Sequence, residues 1–144
     1  MSELLRLFTR THKLLRAATD AAMSEHGVRV GQNLVLEVLW KHDGLTPGEL
    51  AARLGVTTPT MVNTAGRMEA AGLLTRRRDE TDRRLVRLYL TDRGRDAEAP
   101  VQEARRRIEE RVTATLTEEE RRCLHSALTK IYAELSAGRS DPIL

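Results

Sequence analysis

One predicted helix carries four polar side chains on a single face. At positions i, i+3, i+4 and i+7 stand Thr60, Asn63, Thr64 and Arg67. Short hydroxyl and amide side chains can reach base edges in a DNA duplex, and an arginine can reach a guanine or a phosphate. Extended by Thr58 at the helix start, this face predicts a surface that lies in a major groove. An ordinary helical hairpin with one solvated side is the alternative interpretation.

Two short helices joined by a tight turn are predicted around this face. The first has the signature of a capped helix, with a capping box, an early proline and a final glycine: Thr46, Glu49, Pro47 and Gly55. The second is capped by Thr57 or Thr58, with Pro59 at an early position. Its apolar side, expected to pack against the first helix, consists of Met61, Val62, Ala65 and Met68. The pattern is typical of a helix-turn-helix.

A pair of β-strands is predicted directly after the second helix, at 73–78 and 85–90, with a polar turn at 79–82. Behind a helix pair, such a hairpin forms the wing of a winged helix-turn-helix. It is crowded with arginines, namely Arg76, Arg77, Arg78, Arg83 and Arg84. The guanidinium group suits phosphates and narrow minor grooves because it forks and is weakly hydrated.

The order of these pieces resembles the MarR family of bacterial transcriptional regulators. The resemblance rests on the motif D-x-x-DRR-x-V-x-x-x-LT-x-x-G, from Asp79 to Gly94, and extends over nearly the whole chain. It implies a ligand-responsive repressor that binds a pseudo-palindromic operator as a homodimer, with an arginine of the hairpin tip in the minor groove. Arg84, oriented by Asp82, matches the family's wing pattern and is the first candidate. The other predicted wing contacts are Arg83, Arg76 and Arg78.

Long helices are predicted on both sides of the winged core, which occupies 45–91. The first, 2–26, is followed by a shorter helix at 32–42. A helix from Thr91 to about Thr115 contains Pro100, which predicts a kink or a restart. The last helix opens at a second capping box and reaches about Ala137, beyond which the tail 139–144 is expected to be loose. The expected fold is mainly α with a small β-hairpin wing.

The terminal helices carry more apolar side chains than a small core can cover. The stripe of the first helix comprises Leu4, Leu5, Phe8, Leu15, Ala18 and Ala22, and that of the last comprises Leu124, Leu128, Ile131, Tyr132 and Leu135. A second copy of the chain would cover them, which makes 2–26 and 92–137 the predicted dimerisation region of a single-domain protein. A monomer with its stripes folded back on the core is the alternative.

Composition and motifs bound the possible functions. The chain has 144 residues, 31% of them charged, and a formal net charge of +3, which permits nucleic-acid binding. No apolar leader and no run long enough to cross a bilayer occurs, so we expect a soluble, cytoplasmic protein. Without a phosphate loop, a G-x-S-x-G or an H-E-x-x-H motif, we expect no catalytic site, no metal site and no cofactor. A metal site assembled across a dimer is left open.

A small-molecule effector is the usual trigger in proteins of this type. The expected pocket is the crevice between the dimerisation helices and the winged core, where His12, Arg16 and Trp40 would suit an aromatic or phenolic anion. Each has a plainer interpretation, as a surface residue or, for Trp40, as part of the core. A module that contacts another protein, and a redox or metal sensor, are the alternative functions. Cys123 favours redox sensing if exposed beside arginines, but we expect a small buried hydrophobe.

Overall fold

The computed structural model describes residues 2–137 and confirms a mainly helical chain with one two-stranded hairpin. The tail 139–144 lies outside the described residues. In chain order the elements are α1 (Glu3–Ser24), α2 (Gln32–Lys41), α3 (Pro47–Leu54), α4 (Thr58–Ala70), β1 (Leu74–Arg78), β2 (Val86–Leu90), α5 (Asp92–Asp96), α6 (Glu98–Thr113) and α7 (Glu118–Ala137). The described chain divides into two compact units between Ile108 and Glu109.

The first helix of the helix-turn-helix, α3, begins and ends where its capping residues predict. Oγ1 of Thr46 accepts a hydrogen bond from the backbone N–H of Glu49 at 3.1 Å. Gly55 ends the helix in left-handed backbone at φ +67°, which favours glycine. The predicted capping box is not completed, because Oε1 of Glu49 lies 3.9 Å from Nη1 of Arg87 instead of returning to the cap.

The second helix, α4, is capped by Thr57, whose Oγ1 accepts the N–H of Thr60 at 3.3 Å. Its buried side is narrower than predicted. The residues buried as expected are Met61, Ala65 and Met68. The expectation for Val62 is wrong, since this side chain is 42% exposed. It stands about 100° around the helix from Met61, at the edge of the stripe, and the packing of α4 leaves that edge in solvent.

The winged unit has an aliphatic core drawn from α2, α3, α4 and the hairpin. Side chains with no more than 2% exposure include Leu36, Leu39, Leu50, Met61, Met68, Leu73, Leu74 and Leu88. Burying a side chain of this size contributes roughly 1.5–3 kcal/mol relative to leaving it exposed. The core therefore holds one side of α4 firmly and leaves its polar side free.

The hairpin stands directly on the helix-turn-helix. β1 and β2 pair antiparallel, with Leu74 opposite Leu90 and Arg76 opposite Leu88. Leu88 and Leu90 point into the core, as the predicted alternation requires. The backbone N–H of Leu88 also donates to the carbonyl of Leu45 at 2.9 Å. This bridge joins β2 to the segment that precedes α3.

Pro100 divides the long helix predicted after Thr91. Oγ1 of Thr91 accepts the N–H of Gly94 at 3.0 Å and starts α5, which ends at Asp96. Pro100 lacks the N–H that would bond the carbonyl of Asp96, and α6 begins at Glu98 with the proline in its first turn. The predicted restart is confirmed.

The last helix opens with the predicted capping box. The N–H of Glu120 donates to Oγ1 of Thr117 at 3.1 Å, and the N–H of Thr117 donates to Oε1 of Glu120 at 3.0 Å. The bond from the backbone of Thr117 is the main reason that the pKa of Glu120 lies below its ordinary value.

The apolar stripes of α1 and α7 are uncovered in a single copy of the chain. Exposures between 38% and 75% are found for Leu4, Leu5, Phe8, Leu15, Leu124, Leu128, Ile131, Tyr132 and Leu135. The expected buried side of α7 is therefore wrong for one copy, in which none of its residues is buried. Cys123 is likewise exposed rather than buried. A stripe of this kind predicts burial only where another surface packs over it.

Candidate nucleic-acid interface

The outer side of α4 forms an open groove of about 640 Å³. The groove is lined by Thr58, Pro59, Val62, Asn63, Gly66, Arg67 and Ala70. Among the predicted contacts outside it, Thr60 is exposed at the helix start, where its hydroxyl accepts a hydrogen bond from that of Thr57 at 2.9 Å. Thr64 is half-buried and lines a different cavity. Four of the five predicted side chains thus face solvent together.

Asp82 holds the guanidinium group of Arg84 in a fork. Nε of Arg84 donates to Oδ1 at 3.1 Å and Nη2 donates to Oδ2 at 3.2 Å, while the backbone N–H of Arg84 donates to Oδ1 at 3.1 Å. The Arg84 side chain is 91% exposed, so this pair adds little stability. It orients a guanidinium that projects into solvent from the hairpin loop. These bonds from Arg84 lower the pKa of Asp82.

Two other predicted wing arginines are engaged by the protein itself. Nε of Arg76 donates to Oε2 of Glu69 at 3.1 Å, which ties β1 to α4. Nη1 of Arg78 donates to the carbonyl of Arg83 at 2.8 Å, across the loop of the hairpin. Arg76 and Arg78 therefore help to shape the wing and to keep it beside α4.

Sequence reasoning missed an ion pair between β2 and the loop of the wing. Nε of Arg87 donates to Oδ1 of Asp79 at 2.7 Å, and Nη1 donates to the carbonyl of Gly44 at 2.9 Å. The side chains of Arg87 and Asp79 are 27% and 18% exposed. The signal that could have predicted this ion pair is Arg87 itself. It is a charged residue between the apolar residues of β2, and it lies opposite the end of β1.

The charge state of this pair follows from its hydrogen bonds. The pKa of Asp79 lies below the ordinary value of 3.8, mainly because Arg87 donates to its side chain and also because the N–H of Asp82 does. A carboxyl group with a lowered pKa stabilises the folded state above its unfolded pKa, and that contribution is lost as the pH falls through the folded pKa. The network is therefore charged at neutral pH and breaks down only in acid, below the usual range of aspartate.

Arg77 has a different partner on the same hairpin. Its guanidinium carbon lies 4.4 Å from the ring centroid of Tyr89, a cation–π distance. The Tyr89 ring in turn covers Gly44, where an added Cβ would come within 2.8 Å of the ring atom Cε1. Arg77 thus adds a positive charge to the hairpin but does not contact the loop.

A second cavity, of about 510 Å³, lies between α1, the segment before α2, and α4. Its lining comprises Lys13, Arg16, Ala17, Asp20, Arg29, Val30, Gly31, Gln32, Thr64 and Arg67. Both carboxylate oxygens of Asp20 have partners within the protein. Oδ1 accepts the N–H of Val30 at 3.1 Å, and Oδ2 lies 3.6 Å from Nη2 of Arg29. Four basic residues against one acidic residue make this a cationic cavity, suited to an anion.

The structure separates the three residues proposed for an effector pocket. Arg16 lines the cationic cavity, whereas His12 and Trp40 are not among its lining residues. His12 is exposed on α1. Trp40 packs against the core, and its indole Nε1 donates to the carbonyl of Gly94 at 2.9 Å. This position matches the plainer interpretation of Trp40.

An exposed polar helix beside an arginine-rich hairpin, on this fold, defines a winged helix-turn-helix DNA-binding protein. The MarR family model matches residues 26–85. A transcriptional regulator of Methylorubrum extorquens, TtmR, is 38% identical over 78 residues, which cover 54% of this chain and 40% of that regulator. An HTH-type transcriptional repressor of Mycobacterium bovis is 33% identical over 122 residues, covering 82% of this chain and 88% of the repressor.

A solved structure of the repressor CouR bound to a 23-mer DNA duplex has a TM-score of 0.79 and 29% identity, covering 88% of this chain and 89% of that one. The matched stretch thus spans less than half of TtmR but most of the other two proteins. This chain belongs to the MarR family, in which the matched relatives are transcriptional regulators and repressors.

Proposed function

We propose that the protein is a ligand-responsive repressor that binds a pseudo-palindromic operator as a homodimer. The observation that carries the proposal is the juxtaposition of two exposed features. Asn63 and Arg67 are exposed to solvent in the groove of α4. The Glu69–Arg76 ion pair holds the wing, which carries Arg84, beside the same helix. A duplex that takes α4 in its major groove would meet the wing at the adjoining minor groove.

A gel shift with the DNA upstream of the protein's own gene tests this function. We expect a specific complex whose affinity falls steeply with salt, with a slope of about −0.9 in log–log form for each phosphate neutralised. The control is a fragment of equal length from a coding region. Equal affinity for the two fragments would contradict operator recognition.

The proposed homodimer accounts for the exposed stripes of α1 and α7. Contiguous exposed apolar surface on a soluble chain usually marks an interface. A two-fold dimer would also present two copies of α4 to half-sites separated by about one helical turn, roughly 34–36 Å. The alternative is a monomer with its stripes folded back on the core.

Val62 leads to a prediction about base reading. Its apolar side chain lies in the α4 groove beside Asn63, where it can contact the 5-methyl group of thymine. We expect replacement of operator thymines by uracil to weaken wild-type binding by about fourfold for each contacted methyl group, from roughly 0.8 kcal/mol per buried carbon. Fluorescence anisotropy with the two duplexes measures the loss.

The matched variants are Val62→Ala and Val56→Ala. Val56 is similarly exposed, at 39%, but does not line the groove. Val62→Ala should remove the discrimination between thymine and uracil, while Val56→Ala should keep it. Equal discrimination in both variants would show that another residue reads the methyl group.

The cationic cavity supports ligand response. A small aromatic or phenolic anion bound there would contact Arg16 and Arg67, and Arg67 also lines the α4 groove. Such a ligand would favour a position of Arg67 other than the one used on DNA, and would lower the affinity for the operator. The shared arginine is the observation that favours this role.

Arg16→Ala tests the effector site. Phenolic acids are expected to raise the melting temperature of the wild-type protein and to release the operator. The variant should need roughly ten- to 150-fold more ligand, since a hydrogen bond to a charged group contributes about 1.5–3 kcal/mol. Arg10, on the same helix but outside the cavity lining, provides the control Arg10→Ala. No response of the wild-type protein to any phenolic acid would count against this ligand class.

Other functions have weaker support. A protein-interaction module would not require polar side chains on α4 beside an arginine-rich wing. Cys123 is exposed and favours redox sensing, but it is a lone thiol. Among residues 2–137, no group of three His, Cys, Asp or Glu residues is placed to hold a metal ion. We propose a role in binding rather than catalysis.

The location belongs to the same proposal. Within the described part of the chain, every helix is too short or too polar to traverse a lipid bilayer. We place the protein in the cytoplasm because a repressor must reach chromosomal DNA.

A further inference from the structure

We propose that Arg87 and Asp79 are positioning residues for Arg84, which fasten the loop of the wing to the body of the molecule so that the Arg84 guanidinium meets the minor groove in one orientation. The inference rests on the proposed function, because it requires Arg84 to contact DNA. Three consecutive links in the structure carry it, each made by hydrogen bonds to a half-buried or backbone group.

The first link joins β2 to the segment that precedes α3. Nη1 of Arg87 donates to the carbonyl of Gly44 at 2.9 Å, and the N–H of Gly44 donates to the carbonyl of Leu88 at 3.0 Å. Gly44 is therefore bonded to the strand through both of its backbone groups. The Arg87 side chain, 27% exposed, lies across this junction and does not extend into solvent.

The second link runs from Arg87 into the loop. Its Nε donates to Oδ1 of Asp79 at 2.7 Å. The other oxygen of Asp79, Oδ2, accepts the N–H groups of Thr81 at 3.1 Å and Asp82 at 2.8 Å. One carboxylate thus binds the guanidinium with one oxygen and closes the turn with the other, as aspartate does in turns.

The third link is the fork between Asp82 and Arg84. The hydrogen bond to Asp79 fixes the backbone of Asp82 and so limits where the Asp82 carboxylate can lie. That carboxylate accepts hydrogen bonds from Nε and Nη2 of Arg84 at 3.1 and 3.2 Å. If the turn were loose, the same fork would form in many orientations. Ordering them on DNA would then cost conformational entropy and lower the affinity.

The effect of the positive charge of Arg87 can be separated from its effect on the position of Arg84, because the hairpin contains a second arginine that serves as a control. Arg77 is the register partner of Arg87 on the opposite strand. It carries the same charge but stacks on Tyr89 at 4.4 Å and has no bond to the loop. Arg77→Met therefore removes the same charge from the hairpin as Arg87→Met and leaves the three links intact.

A double-mutant cycle on operator affinity tests the inference. The proteins compared are the wild type, Arg87→Met, Arg84→Ala and the double variant, with a second square in which Arg77→Met replaces Arg87→Met. We expect Arg87→Met to weaken binding by about three- to thirtyfold in the wild-type background and by no more than about twofold when Arg84 is absent. Arg77→Met should weaken binding by the same factor in both backgrounds.

Asp79→Asn provides a second variant that keeps the charge of Arg87. It should reproduce the pattern of Arg87→Met, and it decides the question if Arg87→Met fails to fold by circular dichroism. An equal loss in the presence and absence of Arg84 for either folded variant would overturn the inference. A wild-type protein that does not bind the operator would instead overturn the proposed function. An Arg84→Ala variant that binds as the wild type does would remove Arg84 from the interface and overturn the inference alone.

Discussion

Replacing Arg84 with alanine is expected to weaken operator binding by about 1–3 kcal/mol, roughly five- to 150-fold, without lowering the melting temperature. The side chain is 91% exposed and is held only by a surface ion pair with Asp82, so its removal leaves the core untouched. Fluorescence anisotropy at physiological salt measures the affinity, and thermal unfolding measures the stability. Unchanged binding would remove Arg84 from the interface.

Two companion variants sharpen this test. Arg84→Lys keeps the positive charge but cannot form the fork with Asp82, so it should recover only part of the lost affinity. Arg83→Ala removes the neighbouring arginine, whose carbonyl, and not its side chain, is bonded to Arg78. A smaller loss for Arg83→Ala than for Arg84→Ala is expected, and the reverse order would identify Arg83 as the minor-groove residue.

Replacing Gly94 with alanine is expected to destabilise the fold by about 2 kcal/mol or more. An added Cβ would lie 2.3 Å from the carbonyl oxygen of Leu73 and 3.2 Å from Cδ2 of Leu90. That carbonyl cannot turn away freely, because it accepts the N–H of Thr91 at 3.1 Å. Forced insertion into a packed site usually costs about 1–3 kcal/mol or more, and exceeds the helix propensity gained by alanine, at most about 1 kcal/mol.

Thermal or urea unfolding measures this effect. For a chain of this length, each kcal/mol lowers the melting temperature by roughly 2–4 °C or slightly more. Gly48→Ala is the control, because Gly48 also lies in a helix but its nearest atom, Oγ1 of Thr46, is 3.9 Å from the added Cβ. We expect that variant to be neutral or slightly stabilised. If Gly94→Ala unfolds at the same temperature and urea concentration as the wild type, the close contact between Gly94 and the carbonyl of Leu73 is refuted.

The same contact explains part of the motif that suggested the family. In the stretch LT-x-x-G, the threonine caps α5 and bonds the chain before β1, since Oγ1 of Thr91 donates to the carbonyl of Gly72 at 2.6 Å. Gly94 then lets α5 approach the carbonyl of Leu73. Its own carbonyl accepts the indole N–H of Trp40 at 2.9 Å. The motif is therefore a packing requirement that closes the hairpin onto the core.

Features that depend on near neighbours in the chain follow from the amino-acid sequence alone. Thr57 and Thr91 cap helices with bonds that reach three residues, and Pro100 breaks one because it lacks an N–H. The fork between Asp82 and Arg84 also spans only two residues, but it was predicted from the wing pattern of the family that the sequence resembles. Such interactions need only local geometry, which residue type and spacing define.

Contacts between residues that are distant in the chain could not be predicted from the sequence. The bonds from Arg87 to Gly44 and from Trp40 to Gly94 join residues 43 and 54 positions apart. The exposure of Val62 depends on how α4 packs, because this residue stands at the edge of the apolar stripe, where periodicity does not select a side. Long-range contacts follow from the packing of whole elements, and many sequences with the same local pattern would pair their charged groups differently.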